Sequence, residues 1–159
     1  MAQEMIQKGR FTAAIDGDFV VFLIGMRINA PLQAHKWGPV FMSMPRMLRE
    51  LRKNEQAGLL HCEMFFGRTM LMVQYWRSLE QLLDYAVNKD MQHLPAWHAY
   101  YKAAKDGSVG IWHETYRVTA GRHESLYVNM PRFGLGAAGD IVEATGARHS
   151  ARGRFGQTA

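Results

Sequence analysis

Three histidines and a glutamate stand at spacings where they could do chemistry: His61, Glu63, His93 and His113. His93 shares a helical stripe with Trp97, Tyr100 and Ala104, because offsets of four, seven and eleven fall on one face. It is therefore expected to point inward, among aromatics. A neutral imidazole there could ligate a haem iron or act as a base; a hydrogen-bonded core histidine is the plain alternative. His98 falls on another stripe with Lys102 and Lys105 and is expected to face solvent.

The other candidates lie on strands. A hairpin is predicted over Gly58–Phe66 and Thr69–Trp76, with a tight turn at Gly67-Arg68 in which Gly67 supplies a positive φ. Centred there, Phe65 faces Met70, Glu63 faces Met72 and His61 faces Gln74, so His61, Glu63 and Gln74 share one sheet face. The opposite face carries Leu60 with Tyr75, Cys62 with Val73 and Met64 with Leu71, and is apolar. In the strand predicted over Val109–Val118, His113 shares a side with Ile111, Thr115 and Arg117, while Glu114 sides with Trp112 and Tyr116. Polar groups on a covered sheet face are costly unless hydrogen-bonded, so they line pockets or interfaces. A histidine among them could accept a substrate proton, and Arg27 could stabilise developing enolate charge. The alternative is that the same groups stitch two subunits together.

The elements that must position these groups follow from pattern. Asp18–Ile28 is β-branched and aromatic, follows an Asp16-Gly17 turn signal and stops before Pro31. Its apolar residues do not alternate with polar ones, so both faces of the strand should be covered. Helices can cover one face; a second copy of the sheet is the economical cover for the other, which predicts a homodimer. A helix is expected within Pro39–Gln56, with Phe41, Met44, Leu48 and Leu51 on one stripe and Pro45 in its first turn or at a kink. Ser78-Leu-Glu-Gln81 reads as a capping box opening a helix to about Asn88, and a second helical segment runs from about Met91 to Ala104. After Val109–Val118 comes a short extended piece, Glu124–Met130. The order βαββααβ is an α+β, ferredoxin-like pattern: one antiparallel sheet with helices on one face. Residues 1–145 are expected to form a single domain, and 146–159 a disordered basic tail.

Several function classes lose support. Gly134-Leu-Gly136-Ala-Ala-Gly139 matches a dinucleotide fingerprint literally, yet too little chain follows it for a strand–helix–strand unit, which leaves a flexible loop closing over the domain. No histidine pair stands at a zinc-binding spacing with an acidic partner, and no G-x-S-x-G marks a nucleophile elbow. The net charge of +5 is poorly concentrated. Arg46, Arg49, Arg52 and Lys53 are interleaved with Glu50 and Glu55, which reads as a solvated helix face rather than a nucleic-acid surface. The single Cys62 rules out an intramolecular disulfide. Phe19–Met26 is far short of the ~20 residues that span a bilayer, so a cytoplasmic protein without a membrane partner is expected. Eleven methionines and four tryptophans point to an adaptable apolar interior and a hydrophobic small-molecule partner.

Longer strings carry a resemblance. Gly9–Ala13, Phe19–Asn29, His35–Trp37, Phe66–Arg68, Gln74–Ser78, His93–Trp97, Gly110–Tyr116 and Asn129–Gly136 are similar to a monooxygenase-like family of small bacterial proteins. Through it the chain resembles fungal biosynthetic monooxygenases and, more distantly, the antibiotic-biosynthesis monooxygenases with the dimeric α+β barrel fold. The resemblance implies monooxygenase-like chemistry without identifying a substrate; with the apolar interior, the expectation is a monooxygenase acting on a hydrophobic, aromatic or polyketide-like substrate in a buried pocket. His93, His61, Glu63 and His113 would be catalytic; Arg27, Gln74, Trp97, Tyr100 and Trp112 would bind substrate. The wider class also contains haem proteins, in which a histidine on the helix after the third strand ligates iron; His93 is its positional counterpart here. The alternative is thus a haem b protein, either a dehydratase of the aldoxime type or a non-catalytic carrier of haem or a lipophile.

Overall fold

A computed structural model describes residues 5–88, 100, 101 and 105–156. Two antiparallel sheets organise it. The larger is built on β2 (Phe19–Ile28), entered through Gly17 at φ +74°, a value that suits glycine. On one side β2 pairs with β4 (Thr69–Trp76), from Val20 opposite Trp76 to Arg27 opposite Thr69. On the other it pairs with β5 (Val109–Val118), from Phe19 opposite Val118 to Ile28 opposite Val109. β3 (Leu59–Phe65) adds to β4, giving the order β3-β4-β2-β5. This is the ferredoxin-like arrangement of the α+β class, as the element order predicts.

Helix α1 (Ala34–Lys53) starts before the expected Pro39 and contains both Pro39 and Pro45. Pro45 therefore lies well inside the helix rather than in its first turn. Each proline removes one i→i−4 hydrogen bond, and the tertiary packing of the apolar stripe outweighs that loss. Val40, Met44, Leu48 and Leu51 are buried on that stripe. Helix α2 (Leu79–Val87) is capped as read: the Ser78 hydroxyl accepts from the Gln81 amide at 3.1 Å. The Gln81 side chain donates instead to the Gln56 carbonyl at 3.0 Å, tying α2 to the 3-10 turn Glu55–Ala57 that precedes β3. Beneath α1 and α2 lie Met26 and Trp76, both fully buried, with Val20, Met70 and Met72. Of the second helical segment expected over Met91–Ala104, only Tyr100 and Tyr101 are among the described residues.

A strand that the sequence pattern did not reveal, β1 (Gln7–Ala14), founds the smaller sheet between β6 (Tyr127–Met130) and β7 (Asp140–Glu143). It packs on the side of the main sheet away from α1 and α2, where Ala13 and Leu135 meet Phe19, Val21 and Tyr75. Part of the cover expected from a second copy is thus supplied by the chain itself. The glycine-rich segment is also packed: Gly134, at φ +54°, opens the helical turn Leu135–Ala138. A Cβ on Gly136 would lie 2.8 Å from Ile141, and one on Gly139 2.5 Å from the Ala14 carbonyl oxygen. Close packing, not phosphate binding, accounts for these glycines.

The described part of the tail contains two short helical turns, Gly146–His149 and Ala151–Arg154. Arg154 donates to Glu124 at 2.7 Å and to the His149 carbonyl at 2.8 Å, and Arg10 donates to His149 Nε2 at 2.7 Å. Among the described residues no helix is long and apolar enough to cross a membrane.

Candidate functional site

On the helix side of the main sheet, alternate residues of β2 and β4 line a cleft. β2 contributes Phe22 and Ile24; β4 contributes Met72, Gln74 and Trp76. α1 closes one wall with Met44, Met47, Leu48 and Leu51, and α2 another with Leu82, Tyr85 and Ala86. The cavity is about 50 Å³. That admits only a few heavy atoms, so a larger ligand requires the wall to give. Three of its side chains are methionines, unbranched and conformationally adaptable, and rotation of Met44, Met47 or Met72 would enlarge it.

Gln74 brings an amide to this apolar wall and is itself buried. Its Oε1 accepts from the Trp76 indole N–H at 2.8 Å, and its Nε2 donates to the Met72 sulfur at 3.0 Å. The Trp76 ring also lies 5.7 Å from that of Tyr85, tilted by 37°. Burial, with Glu50 as a smaller cause, pushes the Tyr85 phenol far above its ordinary range, so it stays protonated. Cys62 pairs with Gln74 across β3 and β4, and burial pushes its thiol up, so its nucleophilic thiolate is disfavoured.

The hairpin register differs from the expectation by one residue. Cys62 pairs with Gln74, Met64 with Met72 and His61 with Tyr75, which moves the hairpin's centre onto Arg68, and Gly67 does not take a positive φ. A one-residue slip exchanges the faces of a strand. Gln74 therefore faces the cleft while His61 and Glu63 face the other side of the sheet; the three do not form one cluster. There, His61 Nε2 lies 2.8 Å from Glu63 Oε1, which also accepts from the Gly134 backbone N–H at 3.4 Å. The Tyr75 phenol beside them is pushed up by burial, then by Tyr127 and Glu63. With Phe65 set edge-on to Phe133 at 6.2 Å, these contacts tie the glycine-rich turn to the main sheet.

The remaining candidates divide between the two faces. His113 is on the helix side of β5, exposed, with its ring 5.7 Å from that of the cleft residue Phe22. Tyr100 packs on the core beneath α1. Arg27 and Trp112 are on the far face: Arg27 donates to Thr69 Oγ1 at 2.8 Å, and the Trp112 indole lies over Gly25, 2.6 Å from where a Cβ would be. His93 and Trp97 lie outside the described residues. Among the described residues no three His, Cys, Asp or Glu side chains gather as a metal site. Phe22, Trp76 and Tyr85 line the cleft without having been singled out in the sequence. For Trp76 the signal was the alternation Met70, Met72, Gln74, Trp76 along β4; Phe22 and Tyr85 join it from β2 and α2 only through tertiary packing.

Comparison with known proteins accords with this architecture. Monooxygenase af470 of Aspergillus fumigatus is 30% identical over 131 residues, covering 76% of this chain and 46% of that protein. A crystal structure of aldoxime dehydratase superposes with a TM-score of 0.64 at 18% identity, over 87% of this chain and 42% of that chain. Another aldoxime dehydratase, in complex with butyraldoxime, gives 0.63 at 18% identity, over 93% of this chain and 43% of that one. The chain thus spans less than half the length of each, and the two solved structures bear on the fold alone. The monooxygenase af470-like family model matches residues 19–135, which are the whole main sheet, both covering helices and the start of the glycine-rich turn, and the chain belongs to that family.

Proposed function

We propose that this chain is an oxygen-dependent monooxygenase that takes a hydrophobic, aromatic or polyketide-like substrate into the cleft between the main sheet and helices α1 and α2. The observation that carries this reading is the cleft itself: an apolar, methionine-walled cavity with a buried amide at its base, in a member of a monooxygenase-like family. Deformable apolar walls select by hydrophobicity and shape, and exclude water from the reacting centre. A substrate that reacts with oxygen without a cofactor must first lose a proton. His113 is the described histidine on the cleft side of the sheet, and we assign it the role of proton acceptor at the cleft margin. His61 and Glu63 then serve the far face, where we place the homodimer contact. Half-buried Leu23, Leu71 and Val73 and exposed Phe65 and Tyr116 support that placement.

The described lining of the cleft offers no imidazole that could hold a haem iron, and His93, the expected ligand, lies outside the described residues. The test of the oxygenase reading is oxygen uptake by the purified full chain with a tricyclic phenolic ketone, followed by mass spectrometry of product formed under 18O₂. Enzyme-dependent uptake with one labelled oxygen in the product is expected, reduced at least about tenfold in His113→Ala. Tight binding of the probe without uptake would instead favour a lipophile carrier.

A further inference from the structure

Resting on the reading of this cleft as the substrate site, we propose that the Gln74 amide selects apolar ligands bearing one strong acceptor oxygen, of the carbonyl or phenolate kind. The argument is one of fixed orientation. The Trp76 indole N–H can only donate, and it lies 2.8 Å from the Gln74 side chain, so the amide atom facing it must be the oxygen. The –NH₂ is thereby turned towards Met72, whose sulfur accepts at 3.0 Å. A thioether is a weak acceptor, and among the described residues it is the hydrogen-bond partner of that nitrogen. Gln74 and Met72 both line the cavity, so a ligand that displaces the Met72 side chain meets the donor that the sulfur held. A carbonyl or phenolate oxygen replaces the sulfur with a better bond, while a hydrocarbon of the same shape leaves a buried donor unpaired. The site thus distinguishes a ketone from its hydrocarbon by a group that needs no rearrangement of its own.

The experiment is isothermal titration calorimetry of the full chain with 1-tetralone and with tetralin, which share a bicyclic skeleton and differ by one carbonyl. In Gln74→Leu, affinity for the ketone should fall about tenfold, the equivalent of one buried hydrogen bond, while affinity for the hydrocarbon holds or rises. In Met72→Leu, which conserves volume and removes the competing sulfur, ketone affinity should rise a few-fold with little change for the hydrocarbon. Tyr85→Phe should leave the discrimination in place. Equal losses for both ligands in Gln74→Leu, or discrimination lost in Tyr85→Phe instead, would overturn the assignment to Gln74 while leaving the cleft as a ligand site. Absence of binding of either ligand to the wild-type protein would overturn both readings. Should Gln74→Leu fail to fold, Met72→Leu decides alone: no gain in ketone affinity would refute the proposal.

Discussion

Leu51→Ala tests whether the cleft is a ligand site built into the core. Leu51 is 3% exposed, lies on the buried stripe of α1, and packs with Val20, Trp76, Leu82 and Tyr85 on the cleft wall. Alanine has the higher helix propensity, so any loss of stability comes from packing. Three buried carbons at ~0.8 kcal/mol each set a floor of about 2.4 kcal/mol. The space left cannot be closed easily, because it opens onto a cavity already present, and the cavity term carries the expected loss to about 3–4 kcal/mol. Urea unfolding should therefore show a lower midpoint at unchanged slope. The enlarged cleft should bind tetralin more tightly than wild type does. At one hundred times its dissociation constant the ligand should restore about 2.7 kcal/mol by linkage, most of the loss. Two results would refute this: a destabilisation under about 1 kcal/mol, which would mean that Leu51 does not fill the core as described, or the full loss without any recovery by ligand, which would mean that the space is not an accessible site.

Two further predictions concern the frame around the site. At Gly25 an added Cβ would lie 2.3 Å from the Met70 carbonyl oxygen, an atom held in the sheet, and 2.6 Å from the Trp112 indole nitrogen. Gly25→Ala should destabilise by about 1–3 kcal/mol, whereas Gly38→Ala, inside α1 with open space around it, should stabilise by up to about 1 kcal/mol; thermal melts of the pair check the contrast. His123 stands edge-on to Phe19 at 5.3 Å, and burial lowers its affinity for a proton below the ordinary value of 6.5. The unfolded chain then binds the proton more readily, so stability should fall as pH drops through about 6.5 and level off below the folded-state value. In His123→Leu the melting temperature should lose much of its change between pH 7.5 and 5.5; an undiminished change would assign the effect to another group.

Local pattern was enough for much of this chain. The apolar run of β2 stands at the sheet centre because both of its edges are paired and both faces are at least partly covered, as its lack of alternation requires. Ser78 caps α2 because the cap bond is made within four residues and needs nothing distant. The periodicity of Met44, Leu48 and Leu51 identified the buried stripe of α1 before any partner was known. The α+β order followed from these, and with it the ferredoxin-like sheet.

Tertiary structure decided what pattern cannot encode. β1 and β7 are short or polar at their ends, and each becomes a strand only by pairing with segments more than a hundred residues away in sequence, where no local signal reaches. Hairpin register is a matter of one residue, and a glycine at position 67 allows either centre. Packing of the β4 residues Met70, Met72 and Trp76 under the helices selects the register that places Cys62 opposite Gln74. Gln74 shares the cleft face of β4 with those residues, and the register sends His61 and Glu63 to the far side. Residue types named the chemistry available to this protein; the pairing of two strands determined which of those residues can meet.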